Sequence, residues 1–311
     1  MRLTRVVNAA RLAKLGRFIA IFCAVGGLGL CALALMRAWP STSASLRGAD
    51  RVWLGIGAAC TVAVVNCWSV VWFSTLRSLG EVRRVGEVAT WFFAGELAKY
   101  IPGGVWSLIG RGEIARRAGV PRVVSYQSVA ISLATTAAGA LVLFLSLLPL
   151  VTVNSALGYL PLIAAALLLG TFVVPGVRRR LSRLMTVLPP SGAAVEHIDS
   201  SRTLILVLTA LPSWILYGAA STSFATALGY PHDPVQVAFA AVSAWLVGFL
   251  AIPVPAGVGI REATFLVLSG MDAGGSVAVA AMSRLGLMLV DGAGGAVALL
   301  LTHNLLRSSH D

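Results

Sequence analysis

Uninterrupted apolar runs constrain this chain more than any other feature of its sequence. Several of them approach or exceed the roughly 20 residues that a helix needs to cross a bilayer. Their apolar residues are continuous rather than alternating, which excludes an outer-membrane barrel. Only 12% of the 311 residues are charged, against about 25% in soluble domains, so the chain could not cover the surface of a soluble protein. The runs predict six transmembrane helices in an all-α polytopic membrane protein, at 18–36, 52–76, 123–148, 156–175, 203–229 and 276–304.

Two further apolar stretches, 88–116 and 235–270, are interrupted by the sequences IPGG and IPVPAGVG. The flanking pieces are too short to cross a bilayer, because a piece such as VATWFFAGELAKY would be only roughly 20 Å long as a helix. Non-helical backbone at membrane depth is tolerated only where protein or a water-filled cavity surrounds it. We therefore expect each stretch to be a re-entrant helical hairpin, which enters and leaves by the same face of the membrane.

The distribution of basic residues supports two re-entrant hairpins. With them, the basic N-terminal segment 1–17, the tail 306–311 and the arginine-rich loops 77–87 and 178–202 all lie on the cytoplasmic side, as the positive-inside rule requires. If 88–116 crossed the membrane completely, the arginines of 178–202 would lie outside. The cytoplasmic side also receives Arg116, Arg117 and Arg122, and the opposite side receives Arg37, Arg47 and Arg51.

An internal repeat follows from this order. Residues 18–150 contain two spans, a hairpin and a span, and residues 151–305 contain the same series in the opposite orientation. The hairpin tips also match, with PGGV at 102–105 and PAGV at 255–258. Inverted repeats with broken helices at corresponding positions indicate a transporter with a binding site near the bilayer midplane.

The hairpin tips are candidate anion sites. A broken helix exposes backbone N–H donors at the start of its second half, and the helix dipole favours an anion there. Gly103 and Gly104 in the first tip, and Gly257 and Gly259 in the second, would permit the close approach of a ligand. Arg261 lies in the first turn of its half-helix, where a cation opposes the dipole. It either pairs with a glutamate such as Glu262 or holds a phosphate by two hydrogen bonds.

Arg111 and Glu113 lie further along their half-helix than Arg261 does along its own. The spacing therefore predicts that the two arginines are not at matching positions, although Arg111 can still face the cavity. Glu96 and Lys99 are three residues apart, so they are neighbours on a helix. Either they form a structural ion pair, or Lys99 completes a basic site that Glu96 tunes.

Arg284 and Asp291 lie two helical turns apart in the last predicted span. Ionisable residues within a span are candidates for function. The alternative is that they pair with each other or with another helix.

The motifs around both tips resemble the lysylphosphatidylglycerol synthase transmembrane-region family, also called the flippase-like domain family. Its best-understood members imply an inner-membrane protein of bacterial type that translocates aminoacylated phospholipid. Those members carry an aminoacyl-transferase domain after the spans, whereas this chain ends at Asp311, so we do not expect lipid synthesis. The matching residues are Lys99, Tyr100, Pro102, Gly103, Gly104, Trp106 and Arg111 in the first motif, and Pro255, Gly257, Gly259, Arg261 and Glu262 in the second.

The sequence thus favours a translocase for an amphiphile with an anionic headgroup, either a phospholipid, aminoacylated or not, or a polyprenyl-phosphate intermediate. Two alternatives are a scaffold for a separate cell-envelope enzyme and an intramembrane lipid-phosphate enzyme that uses Glu96, Glu113 or Glu262 as acid or base. Motifs of soluble enzymes are absent from the sequence, so we expect no enzyme activity, cofactor, metal site or nucleic-acid partner.

Overall fold

The computed structural model describes residue 43 and residues 47–100, 106–151, 200–250, 257 and 259–307. The predicted spans 18–36 and 156–175, the N-terminal segment 1–17, and Gly103 and Gly104 lie outside these residues. All regular elements within the described ranges are helices, as the sequence predicts. They are α1 (Arg51–Ser78), α2 (Val85–Glu96), α3 (Trp106–Arg117), α4 (Arg122–Leu147), α5 (Ser200–Ala227), α6 (Pro234–Leu250), α7 (Ile260–Leu268) and α8 (Ala273–Arg307).

Four of these helices contain apolar stretches of 26 to 29 residues with no more than two charged side chains in their most apolar window. A helix of 26 residues is about 39 Å long, and the hydrocarbon core of a bilayer is about 30 Å thick. The four helices are therefore long and apolar enough to cross a membrane, and they coincide with four of the six predicted spans. The stretches are Arg51–Ser78, Arg122–Leu150, Arg202–Ala227 and Ala273–Leu301.

The helices begin where the sequence provides capping groups. The Asp50 carboxylate accepts a hydrogen bond of 2.8 Å from the backbone N–H of Val52 at the start of α1. Asp233 has the same function before α6, where Pro234 occupies the first helical position. A side-chain cap satisfies one of the N–H groups that the first turn of a helix leaves unpaired. The Asp233 cap therefore marks the start of α6, after the turn that follows α5.

Two pairs of shorter helices form antiparallel hairpins. In the first, α2 continues through a 3₁₀ turn (Leu97–Tyr100), and Gly95 of α2 then packs against Arg111 of α3. In the second, the Gln236 side chain at the start of α6 donates a hydrogen bond of 2.5 Å to the Leu268 carbonyl oxygen at the end of α7. The two helices of each hairpin contact each other, so the chain reverses direction between them.

The longest packed interface joins α1 and α5, which run antiparallel. The Asp50 backbone N–H donates a hydrogen bond of 2.9 Å to the carbonyl oxygen of Ala227, so the start of α1 lies beside the end of α5. A Cβ atom on Gly57 would lie 2.6 Å from the Phe224 ring. Small residues allow this close approach, as is typical of helix packing in membranes.

The packing around this central pair is the same in both halves of the chain. Helix α1 contacts α2, α4 and α8, and α5 contacts α6, α8 and α4. In the same way α2 contacts α3 and α8, whereas α6 contacts α7 and α4. Exchanging α1–α4 with α5–α8 therefore leaves this pattern of contacts unchanged. Each hairpin packs against its own half and against the last helix of the other half.

Candidate functional site

A cavity of about 290 Å³ lies between the two hairpins. The four long helices line it with residues close to the middle of each, and the two hairpins line it with residues near their tips. The cavity is therefore far from both ends of the long helices. The residues from the long helices include Trp68 of α1, Ser132 of α4, Tyr217 of α5 and Ser283 of α8.

Seven charged side chains from the described part of the chain line this cavity, and all of them are residues that the sequence singles out. One carboxylate of the predicted set, Glu113, is not among them. Gly257 and Gly259 lie in the turn before α7, close to the cavity but outside its lining. The seven residues are Glu96, Lys99, Arg111, Arg261, Glu262, Arg284 and Asp291.

The first group of charges joins the first hairpin to α8. The Lys99 ammonium lies 2.9 Å from a Glu96 oxygen and 2.5 Å from a carboxylate oxygen of Asp291. The Asp291 side chain is 0% exposed. Arg111 Nε lies 3.6 Å from the other oxygen of Glu96, so that one carboxylate serves two cations. Buried ions require such pairing because their desolvation costs several kcal/mol each.

The second group joins the second hairpin to α8. Glu262 accepts a hydrogen bond of 2.6 Å from the Gly259 backbone N–H with one oxygen, which caps α7. Its other oxygen lies 2.5 Å from Arg284 Nη1. Of the pairings left open by the sequence, Arg284 and Asp291 therefore do not pair with each other. Each pairs instead with a residue of a different hairpin.

Arg261 differs from the other three cations of the cavity. Within the described residues it forms no ion pair, since the adjacent Glu262 is paired with Arg284. Its guanidinium carbon lies 5.6 Å from the centre of the Trp245 ring. Its Nε atom is buried and has no hydrogen-bond partner among the described residues, which is also true of Arg111 Nε, so the missing carboxylate is what distinguishes Arg261. The predicted alternative of an Arg261–Glu262 pair is therefore not what the structure contains.

The two arginines pack at equivalent places on the incoming helices of their hairpins, although Arg111 lies further along its own helix than Arg261 does, as the spacing predicts. Arg111 packs on Gly95, and its guanidinium carbon lies 5.2 Å from the centre of the Phe92 ring. Arg261 packs on Gly248 and lies over Trp245. In both cases the aromatic residue precedes the glycine by three positions.

Position along the outgoing helix does not reveal this equivalence, because the distance from the tip proline to the start of that helix differs between the two hairpins. α3 begins at Trp106 and α7 begins at Ile260. The pattern of an aromatic residue and a glycine three positions later, on the incoming helix, is the sequence signal that identifies both sites. It also identifies Phe92, Gly95, Trp245 and Gly248, which sequence reasoning missed.

Glu113 lies at the surface, outside the cavity. Arg116 binds it with two hydrogen bonds of 2.7 Å, and Arg117 adds one of 3.0 Å. These hydrogen bonds lower the pKa of the Glu113 carboxyl to about 2. Glu113 therefore forms its ion pairs at the surface of α3, with Arg116 and Arg117, rather than at the wall of the cavity.

Comparison with known proteins adds no assignment. No protein-family model matches the sequence, and no curated protein sequence matches it. The resemblance to the flippase-like domain family stays a prediction that depends on the two tip motifs.

Proposed function

We propose that the protein is an integral-membrane, flippase-like lipid translocase that moves an amphiphile with an anionic headgroup between leaflets. The observation that carries this proposal is the cavity between the hairpins. On its described wall it combines four cationic and three carboxylate side chains, and it lies between long helices that are otherwise apolar. Ionisable residues at membrane depth are expensive, and they mark pathways for substrates or ions.

The size of the cavity supports a headgroup as the occupant. Its volume of about 290 Å³ is near the lower limit of the roughly 300–1,000 Å³ typical of small-molecule sites. A phosphate-bearing headgroup fits such a space, whereas two acyl chains do not. The chains would remain against the apolar outer surface of the long helices, where side chains such as Leu289 and Leu300 are 72% and 66% exposed.

The arrangement of the chain in the membrane forms part of this proposal. Six spans and two re-entrant hairpins would place both termini in the cytoplasm of a bacterial-type inner membrane, with the cavity near the midplane. The identical contact pattern of the two halves and the antiparallel packing of α1 and α5 support an inverted repeat. In such repeats the two halves expose a fixed site to alternate faces.

The proposal assigns no catalytic residue. At the cavity wall Glu96 pairs with two cations and Glu262 with one, and Glu113 pairs with two cations at the surface. A scaffold for a cell-envelope enzyme would not depend on side chains inside the cavity, so such a dependence distinguishes a translocase from a scaffold.

Transport by purified protein in liposomes tests the proposal. Fluorescent phosphatidylglycerol is placed in both leaflets, and the fraction that a membrane-impermeant quencher reaches is followed with time. We expect the protein to accelerate transfer between leaflets, and Arg261→Gln to slow the transfer at least tenfold.

The matched control is Arg117→Gln, which removes a guanidinium whose side chain is 75% exposed and outside the cavity. It should transport like the wild-type protein. Equal rates for liposomes with and without protein, with phosphatidylglycerol and also with polyprenyl-phosphate, would overturn the proposed function.

A further inference from the structure

The two hairpins differ at one position that decides the charge of each arginine site. Gly95, on which Arg111 packs, is followed by Glu96, and Glu96 lies 3.6 Å from Arg111. Gly248, on which Arg261 packs, is followed by Phe249, which also lines the cavity. Phe249 stacks on Trp245 with a distance of 5.1 Å between ring centres. The second hairpin thus has an aromatic ring where the first has a carboxylate.

The other carboxylates of the cavity do not replace the missing one. Asp291 lies 2.5 Å from Lys99, and Glu262 is bound both by Arg284 and by the backbone of its own helix. The two tip segments outside the described residues, 101–105 and 251–256, contain no ionisable side chain. Four cations face three carboxylates on the described wall, which leaves a formal excess of one positive charge.

This excess is located at Arg261. Among the described residues it is the one cation of the cavity wall without a carboxylate partner. Trp245 covers one face of the guanidinium, and the Arg261 side chain lines the cavity. The buried Nε–H lacks a hydrogen-bond partner within the described chain, as does that of Arg111, but only Arg111 has a carboxylate oxygen as close as 3.6 Å. A buried donor without an acceptor costs free energy. An oxyanion that binds Nε and a terminal nitrogen together would satisfy it, in the two-bond geometry that arginine favours.

We propose that Arg261, on its Trp245 and Gly248 platform, binds a singly charged phosphate diester, and that Arg111 is its internally neutralised counterpart with a structural role. This assignment rests on the proposed function and names the chemical class of the headgroup. A diester carries one negative charge and balances the excess. A phosphate monoester carries a second charge above its second pKa of about 6, and that charge would find no cation free to balance it on the described wall.

The closing experiment places the missing carboxylate into the second hairpin. Phe249→Glu gives Arg261 the neighbour that Glu96 gives Arg111, and Phe249→Gln is the matched control with the same shape and no charge. Binding of a fluorescent phosphatidylglycerol to the full chain in detergent is measured for both. We expect Phe249→Glu to bind at least tenfold more weakly than Phe249→Gln, with an equal loss in Arg261→Gln. Thermal unfolding of each variant verifies that it is folded.

A second measurement tests the charge of the ligand. Phosphatidic acid, a monoester, should bind more weakly at pH 8 than at pH 6, whereas phosphatidylglycerol should bind equally at both. Inorganic phosphate, which lacks acyl chains, should displace neither lipid at millimolar concentration.

The opposite results overturn the assignment in distinguishable ways. Equal binding by Phe249→Glu and Phe249→Gln, or unchanged binding by folded Arg261→Gln, would place the headgroup elsewhere. If the wild-type protein still transports phosphatidylglycerol in liposomes, the proposed function survives that result. Displacement by inorganic phosphate would indicate a site for the free ion, and pH-independent binding of phosphatidic acid would exclude the single-charge account. Absence of both lipid binding and transport by the wild-type protein would overturn the inference together with the proposed function.

Discussion

The two hairpins present the same arginine platform in two electrostatic settings. Each arginine packs on a glycine, and each guanidinium faces an aromatic ring that precedes that glycine by three residues. In the first hairpin Glu96 compensates Arg111, and in the second hairpin, where Phe249 takes the corresponding place, Arg261 has no carboxylate partner among the described residues. Equal geometry therefore does not imply equal function, because the side chain beside each platform, Glu96 or Phe249, decides whether the arginine is available to a ligand.

The largest expected effect is on stability, at the ion pair that attaches the first hairpin to α8. Asp291→Ala would leave the Lys99 ammonium and Arg111 to share the single carboxylate of Glu96. Removal of one partner from a buried ion pair typically costs about 3–5 kcal/mol. We expect the free energy of unfolding to fall by about that amount, as measured by denaturant titration in detergent. The double variant Lys99→Met/Asp291→Leu is the control and should recover most of the loss, whereas additive losses would contradict the account.

A Cβ atom added under each arginine tests whether both platforms support stability and only the second supports lipid binding. A Cβ on Gly248 would lie 2.5 Å from Arg261 Nε, and a Cβ on Gly95 would overlap the Arg111 side chain. Both Gly248→Ala and Gly95→Ala should therefore lose about 1–3 kcal/mol of stability from overpacking. Only Gly248→Ala should also lower phosphatidylglycerol binding, by tenfold or more.

Gly55→Ala is the control for these two variants, because nothing lies within 4 Å of a Cβ there. It should change neither stability nor binding appreciably. Equal losses of lipid binding in Gly248→Ala and Gly95→Ala would refute the assignment of lipid binding to the second hairpin and of a structural role to the first.

A smaller effect is expected from making the aromatic ring of the second platform resemble that of the first. Trp245→Phe keeps a ring beneath Arg261, but phenylalanine attracts a cation less strongly than tryptophan, and cation–π contacts are worth about 0.5–2 kcal/mol in all. We expect lipid binding to weaken by about two- to fivefold, since only part of that energy is lost. Phe92→Leu, beneath Arg111, should leave the binding constant unchanged. A larger loss from Phe92→Leu than from Trp245→Phe would reverse the assignment of the two sites.

The smallest effect concerns Glu113, which belongs to the first hairpin but faces away from the cavity. Its pKa is lowered to about 2, so its pairing with Arg116 and Arg117 stabilises the fold above the unfolded pKa of about 4.3 and is lost as the pH falls towards 2. Exposed ion pairs contribute little. Stability should therefore be the same in Glu113→Gln and in the wild-type protein from pH 8 to pH 5. A change in transport on this substitution would show that the cavity extends to this face of α3.

The charged residues of the cavity could be predicted from the sequence, but of their pairings only Glu96–Lys99 could. Apolar runs predict long helices directly, and breaks such as IPGG predict where a helix cannot continue, so α1, α4, α5 and α8 and both hairpins could be anticipated. Spacing along one helix predicts the Glu96–Lys99 pair, since residues three apart are neighbours. The pairs Lys99–Asp291 and Glu262–Arg284 join different helices, and their existence depends on how the hairpins pack. Sequence distance carries no information about that packing, which is also why the equivalence of Arg111 and Arg261 was missed.

Both hairpins are attached to the same helix, and this has a mechanical consequence. Asp291 and Arg284 lie seven residues apart on α8, which fixes their separation at about 10 Å along a rigid rod. One ion pair ties that rod to each hairpin. A shift of α8 along its axis therefore displaces both hairpins together. Neither hairpin can move along α8 relative to the other until one of the two ion pairs breaks. The weaker of the two ion pairs therefore determines which hairpin separates from α8 first.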